Sequence, residues 1–335
     1  MILVTGGAGF IGSNFILRWI KKNNGSVLNF DNLTYASNLK NLSSIEDNKN
    51  YFFVKGDIND KTLLKEVLSK HKPRSIVNFA AETHVDNSIT SPEAFINSNI
   101  TGTFNLLSAT LEFYLSLSFE EKEKFKFLHV STDEVFGSLK LDDNKSTELS
   151  AYRPNSPYSA SKAASDHLVR AWAETYNLPV NITNCTNNYG PNQHTEKLIP
   201  LLINNCLNWN KLPIYGDGKN IRDWLFVEDH CDAICEVLEK GKVGETYNIG
   251  GNNQTSNFEI ARKICSILDM LSPNEKGDHS QLIEFVGDRP GHDFRYNLDI
   301  SKIRKELDWQ PLETFDSGLE KTVTWYLEKH NRNEK

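Results

Sequence analysis

Short apolar segments alternate with amphipathic ones through the first half of the chain. Residues 13–20 and 95–111 repeat apolar side chains at helical spacing, which predicts helices over those ranges. Strands that alternate with helices predict an α/β fold with a doubly wound parallel sheet. The apolar runs that predict buried strands, each four to eight residues long, are residues 2–5, 27–31, 51–58, 75–81 and 125–130.

The pattern changes after about residue 180. Polar loops that contain glycine and proline become longer there, for example at 187–191 and 287–292, and such loops are typical of a substrate-binding region. We therefore predict a first domain over residues 1–180 and a smaller C-terminal α/β domain mainly over residues 181–330. Later segments of the chain are expected to return to the first domain.

The composition argues against several classes of function. Hydrophobic residues make up 39% of the 335 residues and charged residues 24%, which suits a packed core. The formal net charge of −7 argues against binding to nucleic acid or to an anionic membrane, because both need clustered basic residues. The chain begins directly with a predicted strand, and it has no apolar run that could cross a bilayer. We therefore expect a cytoplasmic protein that binds neither nucleic acid nor membrane.

Five cysteines, an odd number, fit a reducing compartment better than a disulfide framework. Cys231 and Cys235 lie one helical turn apart beside His230, a spacing that metal ligands also use. Their neighbours Ala233 and Ile234 are apolar, so buried thiols are the better interpretation. We predict no metal site.

A glycine-rich turn follows the first predicted strand. Gly6, Gly9 and Gly12 stand three residues apart, and helical spacing begins directly after them. Glycines permit a tight turn and let backbone N–H groups approach a pyrophosphate at the positive end of a helix. This strand–turn–helix context predicts a dinucleotide-binding Rossmann unit, although a strand–helix turn without a ligand has the same local pattern.

Asp31 favours NAD as the dinucleotide. It ends the second predicted strand, about 20 residues after the glycines, where a carboxylate binds the hydroxyls of the adenosine ribose. A carboxylate at this position would repel the 2′-phosphate of NADP. Asp57 follows the third apolar run as a candidate adenine contact, and the small Ala80 and Ala81 after the fourth allow a cofactor to approach closely.

A second cluster of polar groups follows the fifth predicted strand. Thr132, Asp133 and Glu134 come directly after it, at the end of the strands where open α/β sheets bind ligands. Tyr158 and Lys162 stand four residues apart and share one face if Tyr158 begins a helix. A hydroxyl, two carboxylates, a phenol and an ammonium group together suit proton and hydride chemistry. Each residue also has a purely structural explanation: a helix cap for Asp133 and Glu134, a core position for Tyr158 and a solvated helix face for Lys162. These explanations hold for single residues but not for the whole set.

Taken together, these residues resemble the extended short-chain dehydrogenase/reductase superfamily. Within it, the chain is most similar to the nucleoside-diphosphate-glucose 4,6-dehydratases, and among them to those that act on dTDP-glucose. The resemblance covers nearly the whole chain. Superfamily members share the glycine motif and Tyr-x-x-x-Lys, whereas related sugar epimerases lack the Asp133–Glu134 pair. Further similar segments are residues 80–86, 187–191, 196–200, 222–224 and 289–293.

The resemblance implies an NAD-dependent lyase that converts dTDP-glucose to dTDP-4-keto-6-deoxyglucose. Tyr158 would take the proton of the 4-hydroxyl, and Lys162 would lower the phenol pKa and hold the nicotinamide ribose. Glu134 would remove the C5 proton, Asp133 would protonate the departing 6-hydroxyl, and Thr132 would polarise O4. Because the hydride taken from C4 returns to C6, the enzyme needs tightly held NAD rather than a supply of it.

The resemblance also assigns two adjoining binding sites, and Arg222 and Arg289 suit a diphosphate because it favours forked donors. It implies a homodimer through helices near 95–111 and 158–176. The NAD site, mainly in the first domain, would comprise Gly6, Gly9, Phe10, Ile11, Gly12, Asp31, Asn32, Asp57, Ile58, Ala80, Ala81, Thr83, Ser98, Tyr158, Lys162 and Asn187. The nucleotide-sugar site, mainly in the second domain, would comprise His84, Thr132, Asn188, Lys197, Leu198, Pro213, Tyr215, Arg222, Asn257, Arg289 and His292.

Three alternatives remain open from the sequence. A UDP-glucose 4,6-dehydratase would use the same chemistry on another base, and departures from the family pattern at 184–186 and 194–195 lie near the nucleotide-binding loop. The Asp133–Glu134 pair disfavours an epimerase or decarboxylase of the superfamily. The intact Tyr-x-x-x-Lys motif disfavours a catalytically silent protein that binds NAD or a sugar nucleotide.

Overall fold

A computed structural model describes residues 1–333 of the chain. The strands are β1 (Ile2–Thr5), β2 (Val27–Asp31), β3 (Tyr51–Lys55), β4 (Ser75–Asn78), β5 (Lys126–Thr132), β6 (Val180–Cys185), β7 (Asn187–Tyr189), β8 (Leu212–Tyr215), β9 (Ile221–Phe226), β10 (Thr246–Ile249), β11 (Gln254–Ser256) and β12 (Ile283–Val286). The helices are α1 (Phe10–Lys21), α2 (Lys61–His71), α3 (Val85–Thr90), α4 (Pro92–Phe95), α5 (Thr103–Ser116), α6 (Phe119–Lys124), α7 (Pro157–Tyr176), α8 (Leu198–Leu207), α9 (Val227–Lys240), α10 (Asn257–Leu271), α11 (Ser301–Leu307) and α12 (Phe315–Asn333).

A seven-stranded parallel sheet organises the described part of the chain. Its strand order is β10-β6-β5-β4-β1-β2-β3, and all neighbouring strands run parallel. The order reverses at β1, which lies between β2 and β4. Open α/β sheets bind ligands in the crevice at such a switch point. The Rossmann-type, doubly wound parallel sheet that the alternating pattern predicts is confirmed.

Helices cover both faces of this sheet. Ile2 and Val4 of β1 pack in one apolar layer with Phe15 and Trp19 of α1. Leu3, which points to the opposite face, belongs to the layer that α2, α5 and α7 cover. Strands buried on both faces consist of continuous apolar residues, which explains why short apolar runs identified these strands.

Two smaller sheets lie in the second half of the chain as far as residue 333. One contains β7, β9 and β11, and the other pairs β8 with β12. A separate apolar cluster joins α8, α10 and α12 around Leu202, Ile264 and Leu319. Strands β6 and β10 follow residue 180 but belong to the large sheet, so the chain returns to it. The division at residue 180 stays a prediction.

Two element boundaries differ from the sequence-based expectation. The third predicted strand ends at Lys55, so residues 56–58 form the turn after β3. The helix predicted over 95–111 contains a π-helical segment, Ile96–Gly102. There the Asn99 side chain bonds the backbone of Glu82, 17 residues away, and Ser165 donates to the Asn99 carbonyl across 66 residues. The local spacing of apolar residues does not reveal contacts between residues this far apart in the sequence, so the π-helical segment could not be predicted.

Within residues 1–333, no helix has the length and apolarity needed to cross a membrane. The same residues contain no cluster of three or more His, Cys, Asp or Glu side chains that could hold a metal ion. All five cysteines are buried free thiols, including Cys231 and Cys235 of α9.

Candidate active site

A cavity of about 430 Å³ is lined by residues at or just after the carboxyl ends of β1 to β6. The carboxyl end of β1, the strand at which the strand order reverses, therefore lies at this cavity. All sixteen residues predicted for the NAD site lie on its wall, together with Thr132, Glu134, Asn188 and Lys197. The topology therefore brings into one cavity segments that are far apart in the sequence.

Gly6 and Gly12 allow the turn after β1 to pack closely. Gly6 has a φ of +69°, and a Cβ there would lie 2.7 Å from the backbone nitrogen of Ala80. A Cβ on Gly12 would lie 2.3 Å from the Gly6 carbonyl oxygen. Because no side chain fits at either position, the turn exposes its backbone to the cavity, as a pyrophosphate site requires.

The Asp31 carboxylate connects this turn to the loop after β2. Its Oδ2 accepts a hydrogen bond from the backbone N–H of Ala8 at 2.9 Å. Its Oδ1 accepts from the Leu33 N–H at 2.7 Å and from the Ser37 hydroxyl at 2.9 Å. A carboxylate is thus held beside the glycine turn on the cavity wall, at the position predicted for a ribose ligand.

Three buried oxygen atoms on the wall have no hydrogen-bond partner among residues 1–333. They are Thr186 Oγ1, Asn187 Oδ1 and Gln193 Oε1. Buried polar groups are normally hydrogen-bonded, so a ligand with amide or hydroxyl groups would satisfy them. Thr186 is absent from the sequence-predicted site, although its place beside Asn187 after β6 is a signal that could have identified it.

The catalytic segment begins where β5 ends. Thr132 caps the 3-10 segment Asp133–Phe136, and its hydroxyl oxygen accepts from the Glu134 backbone N–H at 3.3 Å. The same hydroxyl donates to Asp133 Oδ1 at 3.3 Å. Glu134 lies on the cavity wall, whereas Asp133 is only 2% exposed and is not among the residues that line it. Asp133 Oδ2 has no hydrogen-bond partner among the described residues 1–333.

The two carboxyl groups have different electrostatic surroundings. Burial raises the pKa of Asp133 well above its usual value, and the charge of Glu134 raises it further. Burial also raises the pKa of Glu134, but the positive charges of Arg289, Arg222 and Lys197 oppose that rise. Surroundings that push two pKa values apart suit an acid and a base. Asp133 therefore fits the acid and Glu134 the base.

Tyr158 is held in the first turn of α7. Ser156 caps this helix by accepting from the Ser159 N–H at 3.0 Å, and Pro157 occupies its first position, which favours helix initiation. Burial, followed by the charge of Glu134, raises the Tyr158 pKa, while a hydrogen bond from Thr132 opposes that rise. The sequence-based expectation was a lowered phenol pKa, so the net direction here is the opposite.

Lys162 lies one turn after Tyr158 and contacts a buried polar network. Its Nζ donates to the Val130 carbonyl at 2.8 Å and lies 3.4 Å from His129 Nε2. Burial lowers the Lys162 pKa, and the charge of Asp166 opposes that change. Asp166 Oδ2 in turn accepts from the Ser131 hydroxyl at 2.8 Å. His129 and Asp166 were not predicted from the sequence, although Asp166 stands four residues after Lys162.

Basic groups surround the Glu134 side of the site. Lys197 Nζ donates to the Thr83 carbonyl at 2.8 Å. The Arg222 guanidinium bonds three backbone carbonyls, those of residues 221, 293 and 294. Arg289 Nη1 lies 3.2 Å from Asp86 Oδ1, and its buried Nε has no hydrogen-bond partner in the described part of the chain. Arg289 therefore has a donor that remains available to an anionic ligand.

The other residues predicted for the nucleotide sugar lie outside the cavity wall. The Tyr215 hydroxyl donates to Asp86 at 3.3 Å, and the rings of Tyr215 and His292 meet edge to face. Asn188, which does lie on the wall, is held between His230 and the Thr186 carbonyl. The remaining positions are Pro213 in β8, Asn257 at the start of α10, Leu198 against the α8 cluster and His84 at the cap of α3.

A polar cluster at the cavity was missed by the sequence-based prediction. Glu196 lies on the wall, and its carboxylate lies 3.4 Å from the Tyr35 hydroxyl and 3.6 Å from His194 Nδ1. Burial, followed by the charge of Glu196, raises the pKa of Tyr35 to about 12 and also raises that of Glu82. The position of Glu196 beside the predicted Lys197 was the available signal.

Known proteins resemble this chain over nearly its whole length. The family model described as GDP-mannose 4,6 dehydratase matches residues 3–322. A dTDP-glucose 4,6-dehydratase from Xanthomonas campestris is 55% identical over 326 residues, which are 97% of this chain and 92% of that protein. The chain belongs to the nucleotide-sugar 4,6-dehydratase family, among the dTDP-glucose 4,6-dehydratases. The family predicted from the sequence is confirmed.

Solved structures agree with this membership. The crystal structure of dTDP-glucose 4,6-dehydratase from Bacillus anthracis, in complex with NAD, has a TM-score of 0.86 and 46% identity, with coverage of 98% of this chain and 97% of that one. The Streptomyces venezuelae dTDP-glucose 4,6-dehydratase, also solved with NAD, has a TM-score of 0.89 and 43% identity, with coverage of 99% and 98%. The fold of this family member thus matches theirs over nearly its full length.

Proposed function

We propose that the chain binds NAD and converts dTDP-glucose to dTDP-4-keto-6-deoxyglucose and water. The observation that carries the proposal is that Glu134 and Tyr158 line one cavity, with the buried Asp133 next to Glu134 in the chain. An epimerase or decarboxylase has no elimination step and does not need a second acid–base pair. The relatives at 55% and 46% identity that carry the name dTDP-glucose 4,6-dehydratase support the same reaction.

The residues on the wall fit NAD. The open backbone of the Gly6 turn suits the pyrophosphate, and Asp31 suits the adenosine ribose. The unpartnered oxygens of Thr186 and Asn187 can bond polar groups of the dinucleotide. NAD, when bound, accepts a hydride from C4 of the sugar and returns it to C6.

Tyr158 acts on the 4-hydroxyl of the sugar. Its phenolate form takes the O4 proton as C4 is oxidised, and the Thr132 side chain opposes the rise of the Tyr158 pKa. Lys162, fixed by the Val130 carbonyl, supplies positive charge and a donor for the nicotinamide ribose. The 4-ketone that results makes the C5 hydrogen acidic, which prepares the elimination.

Glu134 and Asp133 then remove water across C5 and C6. Glu134 takes the C5 proton, and its carboxylate form is favoured by Arg289, Arg222 and Lys197. Asp133, whose protonated form is favoured by its raised pKa, gives its proton to the departing 6-hydroxyl. Glu134 finally returns a proton to C5, which yields the 4-keto-6-deoxy product.

Isotope transfer tests this reaction. Substrate that carries deuterium at C4 should give product with that deuterium at C6, because the hydride returns to the same sugar. Unlabelled substrate converted in heavy water should gain one deuterium at C5 through Glu134. Loss of the C4 label to the medium, or no product from protein with bound NAD, would contradict the proposed function.

The assembly and location are proposed from the same family resemblance. The helical face of α5 and α7 exposes Phe104 and Tyr176, and the preceding π-helical segment exposes Ile96. Apolar side chains exposed together are typical of an interface, so we propose a homodimer through this face. Five cysteines that remain free thiols support a cytoplasmic location.

A further inference from the structure

His129 has no role in the chemistry proposed above, although its ring contacts Lys162. The side chain is fully buried in β5. Burial, followed by the positive charge of Lys162, lowers the His129 pKa to about 4, so the imidazole is neutral at neutral pH. A neutral imidazole offers one hydrogen-bond donor and one acceptor, and it does not repel a lysine ammonium group.

The register of the large sheet fixes this imidazole. Thr5 of β1 lies opposite Asn78 of β4, and Asn78 lies opposite His129 of β5. The Thr5 hydroxyl donates to Asn78 Oδ1 at 2.6 Å, and Asn78 Nδ2 lies 3.0 Å from His129 Nδ1. All three side chains are buried. This row of three residues therefore determines where the other ring nitrogen, Nε2, lies.

His129 Nε2 is close to two charged groups of α7. It lies 3.4 Å from Lys162 Nζ and 3.4 Å from Asp166 Oδ1. The Lys162 ammonium group also donates to the Val130 carbonyl at 2.8 Å, and Asp166 Oδ2 accepts from the Ser131 hydroxyl at 2.8 Å. Lysine has a long, flexible side chain, so contacts with both β5 and α7 restrict where its charge can lie.

We propose that His129 is a positioning residue that holds the Lys162 ammonium group at the cavity. Thr5 and Asn78 fix the ring, and the ring together with the Val130 carbonyl fixes Lys162 Nζ, whose residue lines the wall. This role rests on the proposed function, in which Lys162 provides a donor for the nicotinamide ribose. His129 itself exchanges no proton and no electron with the substrate.

A purely structural role for His129 makes a different prediction. A residue that only completes the core would lower stability when it is replaced, and any effect on NAD binding would be the same with or without Lys162, because effects of independent sites add. A positioning residue acts through Lys162. Its replacement should therefore weaken NAD binding only while the lysine is present.

His129→Gln and His129→Asn form a matched pair, since both replace the ring by an amide. The glutamine amide reaches the position of Nε2 and still faces Lys162 and Asp166. The asparagine amide reaches only the position of Nδ1, so it keeps the contact with Asn78 and leaves Lys162 Nζ without this neighbour. Each change is made in the unaltered protein and in Lys162→Met. Circular dichroism and denaturant unfolding verify that the variants fold.

Affinity for NAD is measured by calorimetry after bound NAD has been removed. It should fall about tenfold in His129→Asn, as expected when a hydrogen bond to a charged group is lost, and stay nearly unchanged in His129→Gln. In Lys162→Met, His129→Asn should cause no further loss. Thr5→Val, which removes the first hydroxyl of the row, should weaken binding in the same direction and replaces His129→Asn if that variant does not fold. Equal effects of both amides, equal losses with and without Lys162, or unchanged affinity in every folded variant would overturn the proposal.

Hydride transfer provides a second measurement, in protein loaded with NAD. The probe dTDP-6-deoxyglucose lacks the 6-hydroxyl, so it can be oxidised at C4 but cannot lose water, and the absorbance of NADH reports the step. The rate should fall in His129→Asn and not in His129→Gln. If the unaltered protein forms neither NADH from this probe nor product from dTDP-glucose, the proposed function fails. The NAD affinities need no turnover, so they still decide whether His129 positions Lys162.

Discussion

Asp133 and Glu134 are adjacent in the chain, but their environments differ. Asp133 is buried, and one of its oxygens has no partner among residues 1–333, whereas Glu134 lines the cavity near three basic side chains. Burial favours the neutral form of a carboxyl group, and nearby cations favour the charged form. Two neighbouring carboxylates of the same chemical type can thus take opposite roles in one elimination.

Replacement of each carboxylate by its amide separates these roles. Both Asp133→Asn and Glu134→Gln should lower turnover by roughly 10²–10⁴-fold, as loss of a general acid or base does. Asp133→Asn should still exchange the C5 hydrogen of added 4-keto-6-deoxy product with heavy water, because Glu134 is intact. Glu134→Gln should lose this exchange. Nuclear magnetic resonance of the recovered sugar nucleotide measures it, and exchange that persists in Glu134→Gln would contradict the assignment.

The pH dependence of kcat tests the electrostatic role of Arg289. Glu134 acts as a carboxylate, so activity falls as the pH falls through its pKa. Arg289 is the strongest of the charges that oppose the raised Glu134 pKa. Arg289→Met should therefore move the acid limb of the kcat profile to higher pH, while Arg289→Lys should leave it nearly in place. An acid limb that stays fixed in both variants would show that Arg289 does not influence Glu134.

At the scale of single residues, the sequence predicted which side chains belong to the site better than it predicted their contacts. Thr132, Glu134, Tyr158 and Lys162 could be placed together because each follows a strand or begins a helix at a recognisable spacing. Their partners could not be predicted in this way. His129 lies inside β5 as one more buried residue, and its contact with Lys162 spans 33 positions, so only the folded chain reveals it.

At the scale of elements, the ends of parallel strands account for most of the site. Six strands, β1 to β6, deliver residues to one cavity because their carboxyl ends share one edge of the sheet. This convergence follows from the alternation of strands and helices, so it was predictable. The π-helical segment that carries Ser98 was not, because it depends on the contacts of Asn99 with Glu82 and Ser165.

The turn between β1 and α1 should tolerate no side chain at Gly6. Alanine at a positive φ costs about 1–2 kcal/mol, and overpacking adds about 1–3 kcal/mol because the Cβ would meet Ala80. Gly25→Ala is the matched control, since Gly25 has a φ of +100° and no atom within 4 Å of its added Cβ. Denaturant unfolding should show a larger loss of free energy of unfolding for Gly6→Ala. Equal losses would contradict the close approach of the turn to β4.

At the scale of the whole molecule, the exposed face of α5 and α7 should determine the oligomeric state. Phe104 packs edge to face on Trp172 and is exposed on its outer side. Phe104→Glu would bury a charge in the proposed interface, so we expect a monomer by light scattering coupled to gel filtration. Leu149→Glu, at an exposed position in the loop before α7, should remain a dimer. A dimer in both variants would place the interface elsewhere.

The parallel sheet itself could be predicted from the sequence, but the strands β6 and β10, which complete it at one edge, could not. Local apolar runs identified β1 to β5, whereas β10 is separated from β6 along the chain by β7, β8 and β9, which belong to the two smaller sheets. Its pairing with β6 depends on tertiary contacts and not on local pattern. The substrate-binding half, with short strands and long loops, was likewise predicted only in outline.

Conversion of nucleotide sugars by the purified protein tests the central claim most directly. The protein, without added NAD, is incubated separately with dTDP-glucose and UDP-glucose, and products are identified by mass spectrometry. We predict that dTDP-glucose loses one water to give the 4-keto-6-deoxy sugar nucleotide and that UDP-glucose reacts poorly. Conversion chiefly of UDP-glucose would contradict the assigned base, and no loss of water from either, with NAD shown to be bound, would contradict the dehydratase reaction itself.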